Sequence, residues 1–184
     1  MAHRVCPWWL GYFLASPWRR LFDNPADIVS PYVHEGMTVL EPGPGMGFFT
    51  LELARLVGPS GRVVAVDLQP RMLEGLKRRA AKAGLLERVD ARLAKPGSLG
   101  VRDVTGVDFA LAFAVVHELP AVSPFFAEVA EVLKPGACLL LAEPKGHVKT
   151  GGFEDELQAA ARAGLTLAGR PSIRRSHAAL LKKG

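Results

Sequence analysis

One stretch limits the folds open to this chain more than any other. Val39-Leu40-Glu41-Pro42-Gly43-Pro44-Gly45-Met46-Gly47-Phe48-Phe49-Thr50 joins an apolar run, an acid, three alternating glycines and a helix start. A strand that ends in glycine-rich backbone and opens a helix belongs to an α/β fold, and it is built to hold a small, partly charged ligand close to the main chain, because glycine removes the side-chain barrier. The dinucleotide fingerprint asks for glycines at the first, third and sixth positions. Gly43 and Gly45 fit it, but Phe48 stands at the sixth position and the third glycine, Gly47, comes one place early. The carboxylate of Glu41 would repel a pyrophosphate at close range and welcome an amino group. A phosphate loop would need Lys followed by Ser or Thr after the glycines, and Phe48-Phe49-Thr50 carries no Lys.

The next apolar run supplies a second acid. Arg62-Val63-Val64-Ala65-Val66-Asp67 lies between Gly58-Pro59-Ser60-Gly61 and Gln69-Pro70 and reads as a buried parallel strand. Asp67 ends it, where open α/β sheets place a carboxylate about 20 residues after the glycines to bind ribose hydroxyls. The plainer alternative is that Asp67 only caps the helix that begins near Pro70.

Strand and helix patterns alternate along the rest, which predicts a doubly wound, mostly parallel sheet with helices on both faces. Strand one spans about Thr38 to Pro42, and the first helix runs from about Gly47 to Val57. The second starts with Pro70, carries Met72, Leu73, Leu76, Ala80 and Ala83 at helical spacing, and ends at Gly84. A third strand near Arg88 to Ala94 leads into Lys95-Pro96-Gly97-Ser98, and a fourth, Val107 to Val116, is apolar apart from Asp108. Ser123-Pro124 opens a helix as cap and first residue, with Phe125, Phe126, Val129, Val132 and Leu133 inward, and Lys134-Pro135-Gly136 closes it. Ala137 to Glu143 is strand five. Gly151-Gly152 precedes a helix with Glu154, Asp155 and Glu156 in its first turn, and Leu165 to Ala168 and Ser176 to Leu181 form the terminal strand pair.

The motif Glu41-x-Gly43-x-Gly45-x-Gly47 resembles the first motif of class I S-adenosylmethionine-dependent methyltransferases. Gly106 to Leu111 through His117-Glu118-Leu119-Pro120 resembles their fourth-strand motif, and Val132-Leu133-Lys134-Pro135-Gly136-Ala137-Cys138-Leu139 their approach to strand five. The resemblance covers about residues 36 to 184 and is nearest to the small type 11 group, which includes ubiquinone and menaquinone biosynthesis enzymes. It implies a Rossmann-like, seven-stranded sheet whose last strand is antiparallel, and S-adenosylmethionine as cofactor with S-adenosylhomocysteine as product. It also implies cofactor contacts from Glu41, Gly43, Gly45, Gly47, Asp67, Leu68 beside the adenine, Ala94 and Phe113. Two departures stand out. Leu93-Ala94-Lys95-Pro96 occupies the place where the family often has an acid-bearing turn at the adenine amino group, which leaves the backbone around Ala94 or Ser98 for that contact, and Glu41 replaces the commoner Asp.

Methyl transfer from a sulfonium needs chiefly an aligned acceptor in a dry pocket, and a base when the acceptor is a hydroxyl or an amine. His117 is the candidate base, since it follows the fourth strand at its carboxyl end. Glu118 is the other acid or base within reach, and the plain alternative for His117 is a loop histidine that caps the helix near Ser123. Tyr12 and Tyr32 are further pocket candidates. His3, His34, His117, His147 and His177 show no zinc spacing, so no metal is expected. Cys6 and Cys138 are the only cysteines, which points to a reducing, cytoplasmic setting, with Cys138 a small buried residue in a strand.

Residues 1–35 read as an aromatic-rich helical arm or lid ahead of a methyltransferase domain at 36–184. Seven of the 14 aromatic residues fall there: Trp8, Trp9, Tyr12, Phe13, Trp18, Phe22 and Tyr32. The arm either finishes the core as short helices broken at Ser16-Pro17 and Asn24-Pro25, covers the substrate, or touches a membrane surface through Trp and Arg19-Arg20. Its apolar run is too short to span a bilayer, which takes about 20 residues, and it lacks a convincing signal-peptide cleavage pattern. A net charge of +5 and a pI near 9.5 raise nucleic acid as a partner. The charges are spread over Arg71, Lys77, Arg78, Arg79 and Lys82 and over the C-terminal segment, as on solvated faces. Phe113-Ala114-Val115-Val116 lacks the Asn- or Asp-Pro-Pro-aromatic element of base-amine methyltransferases. The expectation is therefore a cytoplasmic methyltransferase with a small-molecule acceptor, with an RNA methyltransferase and a non-catalytic cofactor binder as alternatives. Sequence leaves the acceptor and the oligomeric state open.

Overall fold

The computed structural model describes residues 24–184. The expectations that rest on Cys6, Trp8, Trp9, Tyr12, Phe13, Trp18, Arg19, Arg20 and Phe22 lie outside the described residues. The chain divides into two compact units, described here as residues 24–94 and 95–184.

In the first unit Asn24 caps helix α1, Pro25–Val29, its side chain accepting from Ala26 N at 3.3 Å, with Pro25 at the opening position. Strand β1, Thr38–Pro42, is an apolar run that ends in the glycine turn, and helix α2, Thr50–Leu56, follows after a turn-rich stretch. The expected helix start at Gly47 is therefore three residues early: Gly47 takes φ +84°, a left-handed conformation that an α-helix does not accept. Strand β2, Arg62–Asp67, pairs in parallel with β1 in a register that sets Glu41 beside Ala65. Strand β3, Val89–Leu93, pairs in parallel with β2 and sets Leu93 beside Asp67. The strand order is β3-β2-β1, so the three carboxyl ends emerge together.

Helix α3, Pro70–Lys82, lies against this sheet because Met72, Leu73, Leu76 and Ala80 share one face. Leu73 and Leu76 pack on Ala65, with Val89 and Ala91 alongside, and burial of each leucine contributes about 1.5–3 kcal/mol. Ala83, expected on that face, is instead the exposed C-cap, and Gly84 beyond it takes φ +67°.

In the second unit strand β4, Val107–Phe113, pairs in parallel with strand β5, Leu133–Pro144. Strand β7, Ser176–Lys183, runs antiparallel to both β5 and β6, the latter Leu165–Gly169, in the order β4-β5-β7-β6. The expected seven strands, mostly parallel with the last one reversed, are all present. Helix α4 spans Val122–Val132 and helix α5 Thr150–Arg162.

Several boundaries in this unit differ from expectation, and β4 ends at Phe113 rather than Val116. Ser123 lies inside α4 behind Ala121, which caps the helix without a side-chain bond. Lys134-Pro135-Gly136 belongs to β5: Val107 faces Leu133 and Phe109 faces Cys138, so the segment bulges out of the ladder, with Gly136 at φ +78°. Gly151 and Gly152 sit within the first turn of α5, so Glu154, Asp155 and Glu156 fall beyond that turn. Among the described residues no helix is long and apolar enough to cross a membrane.

Candidate functional site

The first unit carries the glycine turn and both acids of the expected cofactor set. Glu41, near the end of β1, is 3% exposed, and its Oε2 has no hydrogen-bond partner among the described residues. Burial pushes its carboxyl up to about 8; the Thr50 hydroxyl pulls it down and the charge of Asp67 pushes it further up. The Thr50 Oγ1 is close enough for that influence but forms no hydrogen bond of ordinary geometry. A buried carboxylate oxygen without a donor is costly unless something supplies one.

Asp67 closes β2 and accepts from Gly45 N at 3.2 Å and from Gln69 N at 2.9 Å. The second bond closes a local turn ahead of α3, whose N-cap Gln69 has no side-chain cap bond, and the first ties the acid to the glycine loop 22 residues earlier in the chain. Gly45 takes φ +55°, and a Cβ there would meet nothing within 4 Å among the described residues. Gly43 donates its N–H to Val66 O at 2.8 Å. Gly47 is tight: a Cβ would come within 2.4 Å of the buried Leu76 Cδ1.

Leu68 is 39% exposed beside Asp67. Ala94 N donates to Asp67 O at 2.9 Å, which fixes the loop after β3 but occupies that amide. Glu41, Gly43, Gly45, Gly47, Asp67, Leu68 and Ala94 are thus held together around one strand-end loop. A buried Glu41 carboxyl oxygen with no partner among the described residues, glycine backbone and a second carboxyl group fit a ligand that carries an ammonium group and vicinal hydroxyls, as S-adenosylmethionine does.

The second unit carries Phe113 and His117. Phe113 is half-buried at the end of β4, and Ala114 after it adopts φ +57°, an uncommon left-handed conformation for a residue with a side chain. Ala114 N is bonded to Ala142 O at 2.8 Å, which holds that conformation against β5. Ser98, the other adenine candidate, is engaged within this unit: its Oγ donates to Glu128 Oε2 at 3.2 Å, and the same oxygen accepts from Leu99 N at 2.9 Å.

His117 sits in a 3-10 turn, Val116–Glu118. Its Nδ1 makes a short hydrogen bond to Glu143 Oε2 near the end of β5. It does not cap α4. Glu143 is wholly buried, and its Oε1 accepts from Val115 N at 3.1 Å and Val116 N at 2.8 Å. The hydrogen bond that His117 donates to Glu143 raises the His117 pKa above its ordinary value, burial opposes this, and electrostatic interaction with Glu143, Glu118 and Glu156 adds to the rise. Glu156 of α5 is buried, its Oε2 has no partner among the described residues, and burial, aided by the charge of Glu143, pushes it up to about 8.

Sequence reading singled out neither Glu143 nor Glu156 as partners of His117, although an acid at a strand's carboxyl end was a usable signal for Glu143. Among the described residues no group of three or more His, Cys, Asp and Glu side chains is arranged to hold a metal ion. Cys138 is only partly buried, because the Lys134 to Gly136 bulge exposes that end of β5.

Residues 33–172 match the family described as "Methyltransferase domain". An arsenite methyltransferase from Halobacterium salinarum is 34% identical over 123 residues, 67% of this chain and 30% of that protein. A ubiquinone biosynthesis O-methyltransferase from Methylocella silvestris is 30% identical over 153 residues, 82% of this chain and 57% of that protein. The chain thus spans about a third to just over half the length of these curated relatives. The crystal structure of an S-adenosylmethionine-dependent methyltransferase from Aquifex aeolicus superposes with a TM-score of 0.85 at 25% identity, covering 98% of this chain and 100% of that one.

Proposed function

Because the chain belongs to the class I S-adenosylmethionine-dependent methyltransferase family, we propose that it methylates a hydroxyl or amine of a small-molecule acceptor in a cytoplasmic setting. The observation that carries this reading is the His117–Glu143 pair, in which a buried carboxylate fixes an imidazole with a raised pKa. A base so held is of use only where the acceptor must lose a proton. The O-methyltransferase relative of ubiquinone biosynthesis acts on an acceptor of that kind by its name.

Bound S-adenosylmethionine supplies an electrophilic sulfonium methyl group. Glu41 would take its ammonium group, and in doing so would lose its own proton at neutral pH. Asp67 would take the ribose hydroxyls, with Gly43, Gly45 and Gly47 giving backbone access and Leu68 and Ala94 lining the adenine side. Glu143 holds His117 in one orientation and stabilises the imidazolium that forms when the acceptor's proton arrives.

The test follows radiolabelled methyl transfer from S-adenosylmethionine to catechol, 4-hydroxybenzoate, ethanolamine, arsenite and total tRNA. Label should enter a hydroxyl or amine compound and be lost with His117→Gln. Label confined to arsenite or tRNA would refute the acceptor class, and tight S-adenosylhomocysteine binding without any transfer would favour the non-catalytic binder.

A further inference from the structure

Both ring nitrogens of His117 already face a partner. Nδ1 is bonded to Glu143 Oε2, and Nε2 lies 3.4 Å from Nδ1 of His147, with ring centroids 5.3 Å apart and planes inclined by 60°. Glu143 uses its other oxygen to accept two backbone N–H groups. With Oε2 accepting as well, the His117 proton is fixed on Nδ1. The lone pair of neutral His117 is then on Nε2, the nitrogen turned toward His147. A hydrogen bond between the rings needs His147 to donate from Nδ1, which leaves the outer lone pair on His147 Nε2.

His147 is also the better placed of the two to meet a small molecule. It follows the turn at Pro144, its N–H bonded to Pro144 O at 2.9 Å, and its side chain is exposed where His117 is only 18% exposed.

We propose that His147 is the group that accepts the proton from the methyl acceptor, and that His117 behind it carries the resulting charge. This rests on the acid–base reading given above. The acceptor's O–H or N–H bond breaks, its electron pair stays on the acceptor atom, and the proton enters His147 Nε2. The Nδ1 proton of His147 passes to His117 Nε2, so His117 becomes an imidazolium against the Glu143 carboxylate. One proton moves in and one moves on, and no oxidant or reductant is needed. The surroundings favour charge on the inner ring, since Glu143 and Glu118 both act on His117. Glu156, held up to about 8, is mostly protonated at pH 7 and does not compete for the proton.

Long-range 15N NMR of the histidines, on the protein saturated with S-adenosylhomocysteine, reads the tautomers directly. Above the His117 pKa both imidazoles should carry their proton on Nδ1. A His147 that carries it on Nε2 there overturns the proposal. In turnover, on whichever of catechol, 4-hydroxybenzoate or ethanolamine is methylated, His147→Gln and His117→Gln should each lower kcat by roughly 100-fold or more. KM for S-adenosylmethionine should hold. If His147→Gln turns over at the wild-type rate while His117→Gln does not, the relay is wrong and His117 acts alone. If neither variant slows, both the relay and the acid–base reading fall.

Discussion

Glu41→Gln is the substitution that separates the cost of the buried acid from its use. The wild-type carboxyl is held at about 8 in the folded chain against an ordinary value of 4.5. Between these values the folded protein keeps the proton and the unfolded chain loses it, so the folded state binds more protons and stability falls as pH rises. From pH 4.5 to pH 7 the group spans about 2.5 pH units at about 1.36 kcal/mol each, roughly 3 kcal/mol after allowing for partial titration. Gln does not titrate. The stability difference between variant and wild type should therefore move in favour of the variant by about 3 kcal/mol between pH 4.5 and pH 7. Any fixed cost of placing an amide beside Thr50 and Asp67 cancels in that comparison.

Urea unfolding of the ligand-free proteins at the two pH values measures the difference. The same substitution should weaken S-adenosylhomocysteine binding by about 1–3 kcal/mol, because the charged partner of the ammonium is gone. A variant whose stability tracks the wild type across that pH range would refute the claim that Glu41 is buried as a neutral acid. Unchanged affinity would remove it from the ammonium site.

Asp67→Ala should weaken S-adenosylhomocysteine by about 1–3 kcal/mol in calorimetry, and an unchanged affinity would leave Asp67 as a cap for the turn at Gln69. Glu143→Gln should lower the His117 pKa toward its ordinary value, read by NMR titration of the ring, since the hydrogen bond donated to Glu143 is the largest cause of the rise; a fixed pKa would contradict the pairing. Gly47→Ala meets the buried Leu76 and a φ of +84°, so denaturant unfolding should show a loss of about 1–3 kcal/mol. Ala114→Gly relieves a left-handed backbone at φ +57° and should gain up to about 1 kcal/mol by the same measurement.

The parts legible in the sequence were those that local chemistry fixes. Glu41, the glycines and Asp67 could be placed because a strand, a turn and the next strand recur at set spacing, and parallel pairing then brings their ends together. Pro70 and Gly84 marked α3 for similarly local reasons. Lys134-Pro135-Gly136 misled because those residues end helices, and here they bulge within a strand whose pairing partner lies 26 residues away, Leu133 facing Val107. The His117 site was half legible: its position after β4 followed from topology, but Glu143 and His147 reach it from 26 and 30 residues further on. No periodicity encodes that meeting; it depends on how β5 lies beside β4 and where the Pro144 turn aims the chain.

The central claim is that the acid-and-glycine end of β1 and β2 recognises a cationic amino-acid nucleoside. Calorimetric titration of the protein with S-adenosylhomocysteine, and separately with NADH, tests it most directly. Saturable binding of S-adenosylhomocysteine, weakened by both Glu41→Gln and Asp67→Ala, with no heat from NADH, is the predicted result. Binding of NADH without binding of S-adenosylhomocysteine would contradict it.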